Sequence, residues 1–350
     1  MRRIENQIRV ARLIDEAIGR FALDLHGMTV LTEAASGPFV VTPLIAARAG
    51  GSVIAVTRDS SFGPAGEVHD YTTQWARRMG LARQIEVHIG AGMDRAGDAD
   101  LITNLGFVRP IDAEFVDRMR PGAAVSLMCE PWEVRPEDVD VGACREADVA
   151  VLGTNERDPR LDTFRFVGML ALKLLLELGV EVLLSRVLVV SSEPFATPIL
   201  EVLNGAGADT RLLDVTSGCD LREQSVLDGC RRLDAIVLAE HRDRRPLIGG
   251  ATGIPIDVLE RSGAALAHIA GAIEDPHTRL RKHPPRDAPP GRMTVTTDAV
   301  GPRPVVDLHT AGLSVGQRLV EKMREFGHAA AAETSALEES LCVAAYHPTE

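Results

Sequence analysis

Along this 350-residue chain, side chains able to handle protons or bind anions fall where apolar runs end. In an open α/β sheet, ligands sit just beyond the carboxyl ends of the strands, so these positions are the first candidates for chemistry. In the first half they are Glu33, then Arg58, Asp59 and Ser60, then Asn104, then Glu130 with Trp132, and then Asn155 and Glu156. In the second half they are Ser191, Ser192 and Glu193, then Asp214, then Glu240 and His241. His241 follows an apolar strand and adjoins Glu240, a placement suited to proton transfer. Beside Arg242 and Asp243 it also fits an ordinary surface histidine. Glu33 and Glu193 hold equivalent turns in the two halves. Facing one cleft they would act as acid and base or bind a cationic amine; otherwise they cap the helices that follow. Glu130, Trp132, Asn155 and Glu156 are the candidates for substrate binding.

A second set suits a nucleotide. The turn at Ala35, Ser36 and Gly37 precedes a helix whose free N–H groups suit a phosphate or carboxylate. Arg58, Asp59 and Ser60 end the next strand, with Asn104 beyond. An acid there takes the ribose hydroxyls of NAD, whereas arginine with serine suits the 2′-phosphate of NADP. Both kinds are present, with NADP slightly preferred. Yet no G-x-G-x-x-G follows either first strand. The runs GAGMDR (90–95) and GAGADT (205–210) follow helices or loops, and Gly205 and Gly207 read as a helix C-cap. Residues 312–316 match G-x-S-x-G, but a nucleophile elbow needs an acid and a histidine on later strands. Only a helix and an Ala-rich tail follow Ser314, so a serine hydrolase is set aside.

The elements that must position these residues repeat. Residues 28–57 and 186–213 each give an apolar strand, a turn ending in Pro-Phe, an aliphatic helix with a Thr-Pro, glycines and a second strand. Residues 98–128 and 233–269 each give a strand, a loop, a helix introduced by Pro-Ile-Asp, a Gly turn and a strand. Such alternation implies parallel βαβ units. The expected architecture is α/β: two tandem Rossmann-like parallel-sheet domains with an inter-domain cleft. The boundaries read as an N-terminal helix over 1–25, a first domain over 26–160 and a connecting helix over 161–184. A second domain then covers 185–310, with a C-terminal helix and tail over 311–350. A last strand and a closing helix are expected within 301–326, and a Pro-rich exposed loop over 275–292.

The net charge of −12 argues against nucleic acid or an anionic membrane as partner. Five scattered cysteines with no C-x-x-C indicate neither a disulfide framework nor a zinc site. The N-terminus lacks the apolar run of a signal peptide, and the apolar stretch 164–184 carries four charged residues, costly in a bilayer. A cytoplasmic protein with a small-molecule substrate, possible as a homodimer, is the expectation.

The segment ADLITNLGFVRPIDAEFVDRMRPGAAVSL, with VDVGACREADVAVLGTNE after it, resembles the two-domain NAD(P)-linked group of D-2-hydroxyacid dehydrogenases and S-adenosylhomocysteine hydrolase. The resemblance covers about a sixth of the chain. It implies tandem Rossmann-like domains, a cleft site and an NAD(P)-linked oxidoreductase acting on a small polar metabolite. MCEPWEV stands where the dehydrogenases have their Ala-Arg-Gly segment, so none of their catalytic residues carries over to a position here. TVLTEAASG, IAVTRD and WARRMGLARQIEVHIG are in turn similar to S-adenosylmethionine-dependent enzymes. That likeness implies a transferase or cyclase, with Glu33 and Gly37 near the methionine part and Asp59 near the ribose. A non-catalytic small-ligand-binding protein is the third reading.

Overall fold

The computed structural model describes residues 6–217, 220–274, 279–288 and 292–345, without the side chains of Trp132 and Ser217. In chain order the elements begin α1 (Gln7–Phe21), β1 (Thr29–Glu33), α2 (Val41–Arg48), β2 (Ser52–Thr57), α3 (Ala65–Arg78) and β3 (Ile85–Ile89). Then come β4 (Leu101–Thr103), α4 (Ala113–Asp117), β5 (Ala124–Leu127), α5 (Val141–Glu146) and β6 (Ala150–Thr154). The middle of the chain forms α6 (Thr163–Glu177), β7 (Arg186–Ser191), α7 (Ala196–Gly205), β8 (Asp209–Asp214), α8 (Gln224–Cys230) and β9 (Ala235–Ala239). It continues with β10 (Pro246–Gly249), α9 (Ile256–Ser262), β11 (Ala265–Ala270), β12 (Ala272–Glu274) and β13 (Lys282–His283). Last are α10 (Pro302–Phe326), α11 (Ala329–Ala336) and β14 (Cys342–Ala344). Among the described residues, no helix is long and apolar enough to cross a membrane.

The chain divides into two compact units: Met1–Leu161 with Pro302–Glu350, and Asp162–Gly301. In the first, six parallel strands lie in the order β3-β2-β1-β4-β5-β6, and β14 pairs antiparallel on β6. This is the 3-2-1-4-5-6 order of the doubly wound dinucleotide-binding sheet. In the second, five parallel strands lie in the order β8-β7-β9-β11-β13, which is 2-1-3-4-5 in local count, the flavodoxin-like variant. The α/β class with two Rossmann-like units is thus observed. Its local cause is visible in β7 and β9. Val187–Val190 and Ala235–Ala239 are all buried, as strands covered by helices on both faces must be.

Residues 28–57 and 186–213 each fold as strand, helix and parallel strand, with Glu33 in register with Val56 and Ser191 with Asp214. The shared Pro-Ile-Asp does two different jobs. Asp112 is the N-cap of α4, its Oδ1 accepting the Phe115 N–H at 2.9 Å. Asp257 instead lies inside α9, where it pairs with Arg261 at 2.6 Å.

Three boundaries differ from the reading of the sequence. The strand expected after Gly301 is absent; Pro302–Phe326 is one helix, because both of its prolines lie in the first turn, where no N–H is required. The second unit therefore ends at Gly301 rather than 310, and α10 belongs to the first unit. The helix at 161–184 is α6, which packs on α7 within the second unit. The Ala-rich tail forms α11 and β14.

In the first unit, α10 lies across β4, β5 and β6 and against α1 and α2. Its glycines make that approach possible: a Cβ on Gly312 would stand 2.6 Å from Met128 Sδ, and one on Gly316 2.3 Å from Leu101 Cδ1. Ser126 Oγ donates to the Gly312 carbonyl at 2.6 Å, and buried Ser314 Oγ donates to the Phe21 carbonyl at 3.3 Å. The G-x-S-x-G at 312–316 is a helix–sheet contact surface, not a nucleophile elbow.

Gly168 has the same function between α6 and α7, where a Cβ would stand 2.3 Å from the Pro198 carbonyl oxygen and 2.7 Å from Val202 Cγ2. Helix propensity alone favours Gly168→Ala by about 1 kcal/mol, but forcing backbone apart in a packed core costs about 1–3 kcal/mol. A net destabilisation of up to about 2 kcal/mol is expected. Calorimetry would show it as a lowered transition of the second unit.

Candidate functional site

The strand order of the first unit reverses between β1 and β4, so the crevice beyond their carboxyl ends is where a ligand is expected. Glu33 ends β1 there and is only 6% exposed. Its Oε2 accepts the Phe107 N–H at 3.3 Å. Burial pushes its carboxyl up, while the N–H groups of Phe107 and Gly106 and the charges of Arg109 and Arg58 pull it down. Glu33 therefore anchors the loop after β4. Arg58 holds the same loop from the other side: its Nη1 donates to the Phe107 carbonyl at 2.9 Å, and its Nη2 to those of Gly106 and Arg109 at 3.2 Å each. Its guanidinium also lies 5.7 Å from the Phe107 ring centroid.

The other nucleotide candidates are similarly occupied. Asp59 Oδ1 accepts the Ala65 N–H at 2.8 Å and so caps α3. Ser60 closes a small turn with Gly63 and accepts the Phe62 N–H at 3.1 Å. Asn104 is buried and joins two strand ends, its Oδ1 accepting the Met128 N–H at 2.8 Å and its Nδ2 lying 3.8 Å from Cys129 Sγ. Ser36 is half-buried and Gly37 buried, at the start of a 3-10 turn over Gly37–Val40 that runs into α2. That turn is packed against α10. His309 of α10 meets Thr42 Oγ1 at 2.6 Å and stacks 5.8 Å from Phe39. Burial holds the His309 imidazole down to about 4, so it is neutral at pH 7. The Gly37 turn, without a glycine cradle and covered by α10, does not fit a dinucleotide pyrophosphate.

The ends of β5 and β6 present a different arrangement. Glu130 and Glu156 are 8% and 6% exposed, and the Glu130 N–H donates to Glu156 Oε1 at 3.4 Å. Glu133, half-buried, shares a side-chain hydrogen bond with Glu156. Two carboxyls can share such a bond only when one of them carries a proton. Burial, with Glu130 as a further negative neighbour, pushes Glu133 up to about 7 and Glu156 also well up. The pair titrates as a unit. Cys129 lies in the same field. Burial, then Glu133 and Glu156, push its thiol well above the usual range, so it is no thiolate nucleophile. Arg109 acts on both Cys129 and Glu33 and bonds Asp138 at 2.8 Å. Asn155, in contrast, ties the chain together: its Nδ2 donates to the Ser340 carbonyl at 2.8 Å and its Oδ1 accepts the Arg157 N–H at 3.0 Å. The Trp132 side chain lies outside the described residues.

In the second unit Glu193 and His241 lie just beyond the adjacent strands β7 and β9. Glu193 is exposed, and its Oε1 accepts from Thr197 N–H at 3.2 Å and Thr197 Oγ at 2.5 Å, capping α7. His241 stacks on Phe195 with centroids 4.4 Å apart, and Phe195 lies 6.1 Å from Phe164. Among the described residues no group of three or more His, Cys, Asp or Glu side chains is placed to hold a metal ion.

Reading the sequence by strand ends found Glu130 and Glu156 but passed over Glu133 and Arg109. A signal for Glu133 existed. Pro131–Glu133 is a 3-10 turn with Glu130 as its N-cap, and residues three apart on such a turn eclipse one another. Arg109 carries no local mark; only the fold of the loop after β4 brings it to the edge.

No protein-family model and no curated protein sequence matches the chain. Solved structures similar to it include transhydrogenase from Sinorhizobium meliloti, 13% identical with a TM-score of 0.46, covering 84% of this chain and 95% of that one. The NAD+-bound 3-phosphoglycerate dehydrogenase of Entamoeba histolytica is 11% identical with a TM-score of 0.42, covering 87% and 97%. The dipicolinate synthase of Bacillus halodurans is 10% identical with a TM-score of 0.46, covering 85% and 98%. At these identities and TM-scores the resemblance is distant.

Proposed function

We propose that the chain is an enzyme on the NAD(P)-type Rossmann scaffold that moves a proton on a small polar metabolite at the carboxyl edge of the first sheet. The observation that carries this reading is the close approach of half-buried Glu133 to buried Glu156, whose carboxyl also accepts the Glu130 N–H. A carboxyl raised close to neutral pH is a competent general base and, once protonated, a competent general acid. In this reading the ionised oxygen of the pair takes a proton from carbon next to a carbonyl, and the protonated pair returns one to the product. Arg109, partly exposed and acting on Cys129 at the same edge, holds the carboxylate of the substrate, which makes an oxo acid the substrate class. No hydride step is assigned at this edge, because the Gly37 turn does not fit the pyrophosphate. The S-adenosylmethionine alternative leans on that same turn and on Asp59, which caps α3, so no observation favours it.

The test is proton exchange in D2O. The full chain is incubated with a panel of small oxo acids, and loss of the carbon-bound proton signal is followed by NMR. Exchange with at least one member is expected, slowed about 10²–10⁴-fold in Glu133→Gln. Binding of an oxo acid without exchange would turn the reading toward a non-catalytic binding protein, and exchange untouched by Glu133→Gln would remove the pair from the mechanism.

The pair also sets a pH dependence of stability. A carboxyl whose folded pKa is raised to about 7 holds its proton in the folded state while the unfolded chain has released it. Its contribution is therefore full below about pH 4.5 and is lost as pH rises through 7. Urea unfolding monitored by tryptophan fluorescence between pH 5 and 8 should show stability falling, with a flatter profile in Glu133→Gln.

A further inference from the structure

In the second unit the strand order reverses between β7 and β9, so its ligand crevice lies beyond those two carboxyl ends. Ser191 is in register with Ala239, which makes Ser192 and Glu240 neighbours one residue further on. Val190 and Leu238, two residues back, belong to the apolar cluster that holds Val226 of α8 and Leu259 of α9. By strand alternation Ser192 and Glu240 continue that face, while the His241 ring stacks on Phe195 in the opposite cluster.

Ser192 and Glu240 are each 1% exposed. Glu240 Oε1 accepts the N–H groups of Arg242 at 2.7 Å and Asp243 at 3.0 Å, which fixes the carboxyl group. Among the described residues, Glu240 Oε2 and Ser192 Oγ have no hydrogen-bond partner. Buried polar atoms are almost always paired, and a buried carboxyl oxygen without a donor is a costly exception. Two such atoms, on adjacent strand ends at the point where this topology places its ligands, mark a site that its occupant completes. Oε2 requires a donor; Ser192 Oγ accepts a second donor or shares its own proton.

We propose that Glu240 and Ser192 form a binding site for the ammonium group of a small polar metabolite, with Glu240 Oε2 as counter-charge and Ser192 Oγ as second acceptor. A protonated amine supplies what both atoms lack: positive charge and several N–H donors diverging from one point. The site is separate from the carboxyl pair of the first unit and does not depend on it.

The experiment titrates the full-length, ¹⁵N-labelled chain with methylammonium, with tetramethylammonium and potassium as controls at the same ionic strength. Methylammonium offers N–H donors; tetramethylammonium carries the charge without them; potassium carries it with neither donors nor methyl groups. The expected result is a saturable shift of the Ser192 and Glu240 amide signals with methylammonium alone. Glu240→Gln should weaken it at least about tenfold, the loss of one charged hydrogen bond. Ser192→Ala should weaken it with the fold intact, and keeps the test decisive where Glu240→Gln fails to fold. Equal shifts with all three salts, potassium acting as well as methylammonium, or no shift at all, the two atoms then being bridged by water, would each overturn the proposal.

Discussion

Where a parallel strand ends, its last backbone groups leave the ladder and must find partners, because a buried N–H or carbonyl without one costs about as much as a lost hydrogen bond. Around the carboxyl edges of both sheets this requirement decides what the polar side chains do. Glu33 and Arg58 are drawn into one loop, accepting its N–H groups and donating to its carbonyls. Asn104 joins the ends of β4 and β5, Asp59 caps α3 and Glu193 caps α7. Strand-end polarity is thus largely structural here. The functional signal is the residue whose bonding capacity the backbone has not taken up.

Two places retain such capacity. At the ends of β5 and β6, three glutamates come together and burial favours the protonated form of Glu133 and Glu156. At the ends of β7 and β9, a carboxyl oxygen and a hydroxyl are buried with no partner among the described residues. The first is an excess of like charge and the second an absence of partners, and each is unstable as an inert feature of a core.

The return of the chain explains why the first unit departs from a nucleotide-binding sheet despite its strand order. Gly312 and Gly316 let α10 lie directly on β4 and β5, and His309 reaches Thr42 at the head of α2. A helix N-terminus that would be open in a dinucleotide fold is here part of the apolar interior, beside Val40 and Val41. The 3-2-1-4-5-6 topology survives this because strand order depends on crossovers and not on what occupies the first turn.

The fold was legible in the sequence because its signals are local. Buried parallel strands read as unbroken Val, Ile, Leu and Ala runs, and the alternation with helices leaves only parallel crossovers. The positions of the strand ends followed, and with them Glu130 and Glu156. The partners of those residues did not. Thr42 meets His309 across 267 residues and Ser126 meets Gly312 across 186, and neither pairing leaves a trace in periodicity or composition. The same holds for Glu33 under the loop of Phe107, and for Ser192 beside Glu240. Which polar group is satisfied by backbone and which is left for a ligand is a property of three-dimensional proximity. Only the tertiary structure decided it, because a hydrogen bond depends on distance and direction in space and not on order along the chain.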